Sequence, residues 1–94
     1  MKINAAIQLL PLTAIKDKHS VIDDAIAMIK DSGLHFEVCP FETAVEGDAD
    51  AVYALIRRIQ DKTLESSCSE LLINVKIHAA KKDVALSDKT GKYR

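Results

Sequence analysis

Two hydrophobic periods alternate along this chain, and their order outlines its architecture. Ile3 to Leu10 repeats every second residue, with Ile3, Ala5, Ile7 and Leu9 on one side and Asn4, Ala6, Gln8 and Leu10 on the other. That is the pattern of a strand with one buried face. Pro11 has no amide hydrogen to give to a ladder and is expected to end it. From Ser20 to Ser32 the period lengthens. Val21, Ile22, Ala25, Ile26 and Ile29 recur at three- and four-residue spacing and give a helix one apolar stripe. Ser20 with Asp23 approximates a capping box, and Gly33 stands where a left-handed residue closes a helix.

The second half repeats the scheme. Leu34 to Cys39 alternates again, Pro40 interrupts, and Phe41 to Glu46 forms another extended run, which predicts a hairpin with Pro40 near its turn. Gly47 is expected to stop that run and Asp48 to cap the next helix. Ala51, Val52, Leu55, Ile56 and Ile59 supply that helix with a stripe, and it is expected to end near Leu64. Ser66, Ser67 and Ser69 mark a loop. Glu70 to His78 reads as the last strand, with Leu71, Ile73, Val75 and Ile77 on one face and Leu72, Asn74, Lys76 and His78 on the other.

Strand, helix, strand, strand, helix, strand is the order of an α+β, ferredoxin-like β-α-β-β-α-β sandwich. Right-handed crossovers would put both helices on one face of a four-stranded antiparallel sheet. The expectation is a single domain over residues 1–94, with 79–94 as a C-terminal extension in which Val84 and Leu86 are candidates for a short added strand.

Composition narrows the choice of partner. The chain has 94 residues, enough for one domain, and is 48% hydrophobic and 29% charged, the balance of a folded protein. A net charge of −1, without a clustered basic face, argues against nucleic acid. Lys81, Lys82 and the Lys89–Arg94 region are interleaved with Asp83 and Asp88 and read as solvated surface. No apolar run approaches the ~20 residues of a membrane span. With no signal peptide recognisable, the chain is expected to be soluble and cytoplasmic, with Cys39 and Cys68 reduced.

Catalytic patterns are weak. His19, His35 and His78 have no second ligand at metal-binding spacing, so no metal is expected. Three glycines and no phosphate-loop motif leave little to cradle a nucleotide. Cys39 lies near Glu37 and His35, which raises a cysteine nucleophile, but a half-buried strand thiol is the better account. No catalytic residue is assigned and no enzyme is expected.

The face away from the helices is more informative. Asn4, Gln8, Asn74 and Lys76 should emerge there beside Leu10 and Leu72, with Gln8 and Asn74 in one region. Neutral amides among apolar neighbours suit a heterocycle with donors and acceptors. An ordinary half-wet sheet face would also use them. The segment Pro40-Phe41-Glu42-Thr43-Ala44-Val45-Glu46-Gly47-Asp48 packs an aromatic ring, two carboxylates, a hydroxyl and a helix start into one stretch. A carboxylate can hydrogen-bond an aminopyrimidine or balance a cationic ring, and an aromatic face can stack on it. A strand running into a capped helix would use Thr43, Val45, Gly47 and Asp48 as well.

That segment, Ile7-Gln8-Leu9-Leu10-Pro11-Leu12, and Asn74-Val75-Lys76-Ile77 with Lys89–Arg94 together resemble the small thiamine-binding protein family, over essentially the whole chain. The resemblance implies ferredoxin-like subunits that associate through their sheets into dimers or tetramers. It also implies non-catalytic binding of thiamine or its hydroxymethylpyrimidine part, as a carrier, buffer or sensor, with no cofactor besides that ligand. The implied ligand-facing set is Gln8, Phe41, Glu42, Thr43, Glu46 and Asn74. Glu42 or Glu46 would meet the aminopyrimidine or the cationic thiazolium; Gln8, Thr43 and Asn74 would give directional hydrogen bonds, and Phe41 ring contact. Strand parity sends Glu42 and Thr43 to opposite sides unless a bulge intervenes. The alternative is a structural or regulatory module that assembles through its open sheet face and takes no small molecule.

Overall fold

The computed structural model describes residues 1–14 and 17–93. Its elements are β1 (Lys2–Ala14), α1 (Lys18–Asp31), β2 (His35–Val38), β3 (Thr43–Asp48), α2 (Ala49–Ser66), β4 (Cys68–His78), a single turn α3 (Ser87–Thr90) and a 3-10 turn at Gly91–Tyr93. The strands form one sheet of order β2-β3-β1-β4, and each neighbouring pair is antiparallel. This is the ferredoxin-like α+β arrangement.

The two faces follow from the registers. Ile3, Ala5, Ile7 and Leu9 of β1 pack with Val45 of β3 against Ala25 and Ile29 of α1 and Val52, Leu55 and Ile59 of α2. Val45, Val52 and Ile59 are wholly buried. Burying side chains of this kind is worth about 1.5–3 kcal/mol each, so this layer dominates stability. Leu71, Ile73 and Val75 of β4 extend it toward the edge. Ala51, counted in the predicted stripe of α2, is exposed; Thr63 is buried instead.

Several boundaries differ from expectation for local reasons. β1 runs through Pro11 to Ala14. The β1–β3 ladder ends at Ile7 opposite Thr43, so beyond it β1 is paired only with β4, and a residue lacking an amide hydrogen is tolerated there. The pairing becomes irregular just past Pro11. Asp17, not Ser20, caps α1. Its carboxylate accepts the His19 amide at 2.9 Å and the Ser20 hydroxyl at 2.8 Å. Gly33 follows α1 with φ +78°, the left-handed conformation that favours glycine. Gly47 lies within β3, where the Leu34 side chain fills the space a Cβ would need. Asp48 is the N-cap of α2, but its carboxylate takes the N-terminal ammonium at 3.1 Å.

Among the described residues, the C-terminal segment forms no added strand. It folds back across the lower half of the face away from the helices. Val84 and Leu86 are buried, and the Val84 amide donates to the Lys2 carbonyl at 3.1 Å. Asn4, expected on the open side, is therefore covered. Its amide donates to the Val84 carbonyl at 3.0 Å, and its side-chain oxygen accepts the Lys89 ammonium at 2.5 Å. Among the described residues no helix is long and apolar enough to cross a membrane.

Candidate functional site

The upper half of the sheet stays uncovered, and the ends of several elements meet there. β2 and β3 are joined by a tight loop with Pro40 and Phe41 at its tip, closed by the Cys39 amide donating to the Glu42 carbonyl at 2.9 Å. Because β3 starts only at Thr43, β1 separates from this loop above Ile7. A cleft opens in the gap, with a volume of about 280 Å³. α1 roofs it with Ile22, Ala25 and Ile26, β1 supplies Ile7 to Leu10, and the hairpin supplies Val38 to Thr43. Pockets for whole drug-sized ligands run about 300–1,000 Å³, so this one has room for a single ring system.

The polar groups of the cleft are few. Thr43 is 7% exposed, on the helix-facing side of β3, and its hydroxyl has no hydrogen-bond partner among the described residues. The hydroxyl opens on the cleft, where water or a ligand can partner it. Gln8 and Glu42 stand at the rim, with the Cys39 thiol nearby. Cys39 and Cys68 are both free thiols.

Gln8 and Glu42 also border a shelf on the open face, with Ala6, Asn74, Val75 and Lys76. Gln8 and Asn74 face each other across β1 and β4, and the Asn74 amide donates to the Gln8 side-chain oxygen at 3.2 Å. Lys76 sends its ammonium to within 3.9 Å of the Glu42 carboxylate. Cleft and shelf are thus one continuous surface that passes around the top of the sheet.

Of the residues singled out in the sequence, Gln8, Phe41, Glu42, Thr43 and Asn74 meet at this end. Phe41 is 83% exposed at the hairpin tip. Glu46 lies lower on the open face, opposite Asn4, and its carboxylate accepts the Leu86 amide at 2.8 Å.

Comparison with known proteins places the chain in a family. A model of the thiamine-binding protein family matches residues 5–94. The chain belongs to the thiamine-binding protein family. A relative within reach is the UPF0045 protein CPE1503 of Clostridium perfringens (strain 13 / Type A), 33% identical over 91 residues, covering 97% of this chain and 96% of the relative. Among solved structures, a domain of unknown function, DUF77, from Bacillus cereus superposes with a TM-score of 0.92 at 29% identity, over 100% of this chain and 91% of its own. A Thermotoga maritima protein named as a candidate for thiamine biosynthesis or salvage superposes with a TM-score of 0.91 over the full length of both chains; at 24% identity it speaks for the fold alone. The family is named for binding a ligand, not for a reaction.

Within this thiamine-binding-family frame, the ligand set expected from the sequence left out two groups of site residues. Ile22 and Ile26 look like core from their helical spacing, but Ile22 is exposed and Ile26 half-buried at the cleft. Their position beside Ala25, too small to fill the space below, was the available signal. Lys76 was expected on the open face but not assigned to the ligand, since only the register of β4 brings it over Ala6 toward Glu42.

Proposed function

We propose that this protein binds thiamine, or its hydroxymethylpyrimidine part, without turning it over, and does so as a homo-oligomer. The observation that carries the reading is an apolar cleft of one-ring size onto which the hydroxyl of Thr43 opens, with no hydrogen-bond partner among the described residues. Membership of a family named for thiamine binding supplies the ligand class.

The chemistry of the ligand matches the division of the site. An aminopyrimidine is flat and neutral, with ring nitrogens that accept and an amine that donates. It enters between α1 and β1, accepts from the Thr43 hydroxyl, and finds an acceptor at the rim in Gln8 or Glu42. The thiazolium carries the positive charge and lies over the shelf, where Glu42 balances it. Phe41 lies at the mouth as a ring surface. Gln8 and Asn74 already hold each other, so they present a fixed pair of amides to the ligand. Of the two carboxylates, Glu42 is the one with access to both compartments. Nothing in this scheme requires a cofactor or a metal, and the binding role fits a carrier, buffer or sensor in the cytoplasm.

Self-association is supported by the apolar side chains on the uncovered half of the sheet, Leu10 and Leu72, both exposed in the single chain. A second copy over this half would bury them and close the shelf from above.

Calorimetry with thiamine and, separately, hydroxymethylpyrimidine tests the reading. Saturable heat at micromolar concentration, about −8 kcal/mol, is expected for thiamine, with weaker binding of the pyrimidine. Absence of heat from both would leave an assembly module with no small-molecule ligand.

A further inference from the structure

Glu42 is the residue that joins the cleft to the shelf, and it already has a partner. The Lys76 ammonium lies 3.9 Å from its carboxylate, although Lys76 is on β4 and Glu42 just precedes β3, on the other side of β1. The crossing is possible because Ala6 stands opposite Lys76 on β1, and Ala44 is the next residue in the same row. No side chain longer than a methyl group obstructs a lysine laid across β1 at that level. Glu42 is only partly exposed, while Lys76 is 85% exposed, so the carboxylate belongs to the cleft and the ammonium can swing out into solvent.

We infer that Lys76 is a resident counter-ion for Glu42 and sets the charge selectivity of the site: it occupies the carboxylate when no ligand is bound and is displaced by a cationic ring. This rests on the reading that a thiamine-like ligand occupies the cleft and shelf. A neutral pyrimidine held in the cleft does not compete with Lys76 and gains nothing from its departure. A thiazolium does compete, and its affinity is the difference between two pairings of one carboxylate. The exchange keeps Glu42 partnered in both states, so the empty site does not hold a half-buried charge without compensation. The same lysine, once displaced, stays on the shelf at the end of a flexible stem, where a phosphate ester of the ligand would meet it.

The consequence is specific in sign. Removing the competitor strengthens binding of a cation, by the worth of an exposed ion pair, about two- to fivefold. Calorimetry of the full-length wild type, Lys76→Met, Glu42→Gln and the double variant, each with thiamine and with hydroxymethylpyrimidine, reads it directly. Lys76→Met is expected to tighten thiamine about two- to fivefold and leave the pyrimidine unchanged. Glu42→Gln is expected to weaken thiamine, and adding Lys76→Met to it is expected to have no further effect, because the two residues act on one another. Circular dichroism and the melting midpoint establish that each variant is folded. If Lys76→Met leaves thiamine unchanged or weakens it, or shifts both ligands equally, the inference falls while binding in the cleft stands. If the wild type takes up neither ligand, the site reading and this inference fall together.

Discussion

Glu42 and Thr43 are consecutive in the chain and lie on opposite sides of the sheet surface, yet both line the same cleft. On a continuous sheet this is impossible, since neighbouring side chains point to opposite faces. Here the β1–β3 ladder stops at Ile7 and Thr43, and the hairpin loop lifts away from β1 above that pair. The gap gives one cleft access to side chains of both faces. No bulge in β3 is needed, and the parity conflict visible in the sequence is resolved by where the ladder ends.

Thr43→Val tests the buried end of that cleft. The change keeps the volume and removes the hydroxyl, which has no partner among the described residues. Stability should therefore hold, because no hydrogen bond of the fold is lost. Affinity for hydroxymethylpyrimidine should drop by about 0.5–1.5 kcal/mol, roughly two- to tenfold in Kd. Calorimetry measures the second effect and urea unfolding the first. Unchanged affinity would take Thr43 out of the site.

Most of the secondary structure was legible because its causes are local. Ile3 to Leu9 alternates, Val21 to Ile29 repeats at helical spacing, and Gly33 ends α1 with the positive φ its position implied. What escaped depends on residues far apart in sequence. Pro11 looks like a terminator unless it is known that β3 has already ended beside β1. Val84 and Leu86 look like a strand fragment, and what fixes them is Asn4 and Glu46, roughly 40 to 80 residues away. The residue types of the site could be listed in advance; their convergence could not, because it is a property of the sheet register. Glu46 illustrates the point. Its spacing from Glu42 makes the two look like a pair, but the fold sends one to the cleft and the other to the Leu86 amide.

Asn4 is the pin of the C-terminal segment. Asn4→Ala removes a donor to the Val84 carbonyl and an acceptor for Lys89 in a nearly inaccessible place. The expected cost is about 1–3 kcal/mol in urea unfolding. Hydrogen exchange at the Val84 and Leu86 amides should speed up more than exchange in the β1 core. Ligand affinity should not change, since the cleft is at the opposite end of the sheet. A variant that lost affinity with its stability would show that the two ends are coupled.

Acid should loosen α1 through its cap. The hydrogen bond from the Ser20 hydroxyl, and after it the one from the His19 amide, hold the Asp17 carboxyl below its ordinary value. A carboxyl whose pKa is depressed in the folded state contributes stability that is full above the unfolded value of about 3.9 and is lost as pH falls through the folded one. Asp17→Asn keeps a capping side chain that does not titrate. Urea midpoints of wild type and Asp17→Asn, followed from about pH 5 down to about pH 2, should differ most at the upper end and converge in acid. A constant gap over that range would mean that the charge of Asp17 contributes nothing.

Leu72 tests the proposed assembly surface. It lies on β4 opposite Leu10, on the half of the sheet that the C-terminal segment leaves bare, and both side chains are exposed in the single chain. An isolated exposed leucine is ordinary, but two in register on an uncovered face are what a second sheet would bury. Leu72→Glu places a charge there without touching the core beneath, where Leu71 and Ile73 face the helices. Light scattering on a size-exclusion column should show a smaller particle than wild type, while circular dichroism stays the same. Monomeric binding of the pyrimidine should survive the change, because the cleft is built within one chain. If the particle mass does not change, this half of the sheet is not where copies meet, and the shelf is open to solvent in the assembled protein.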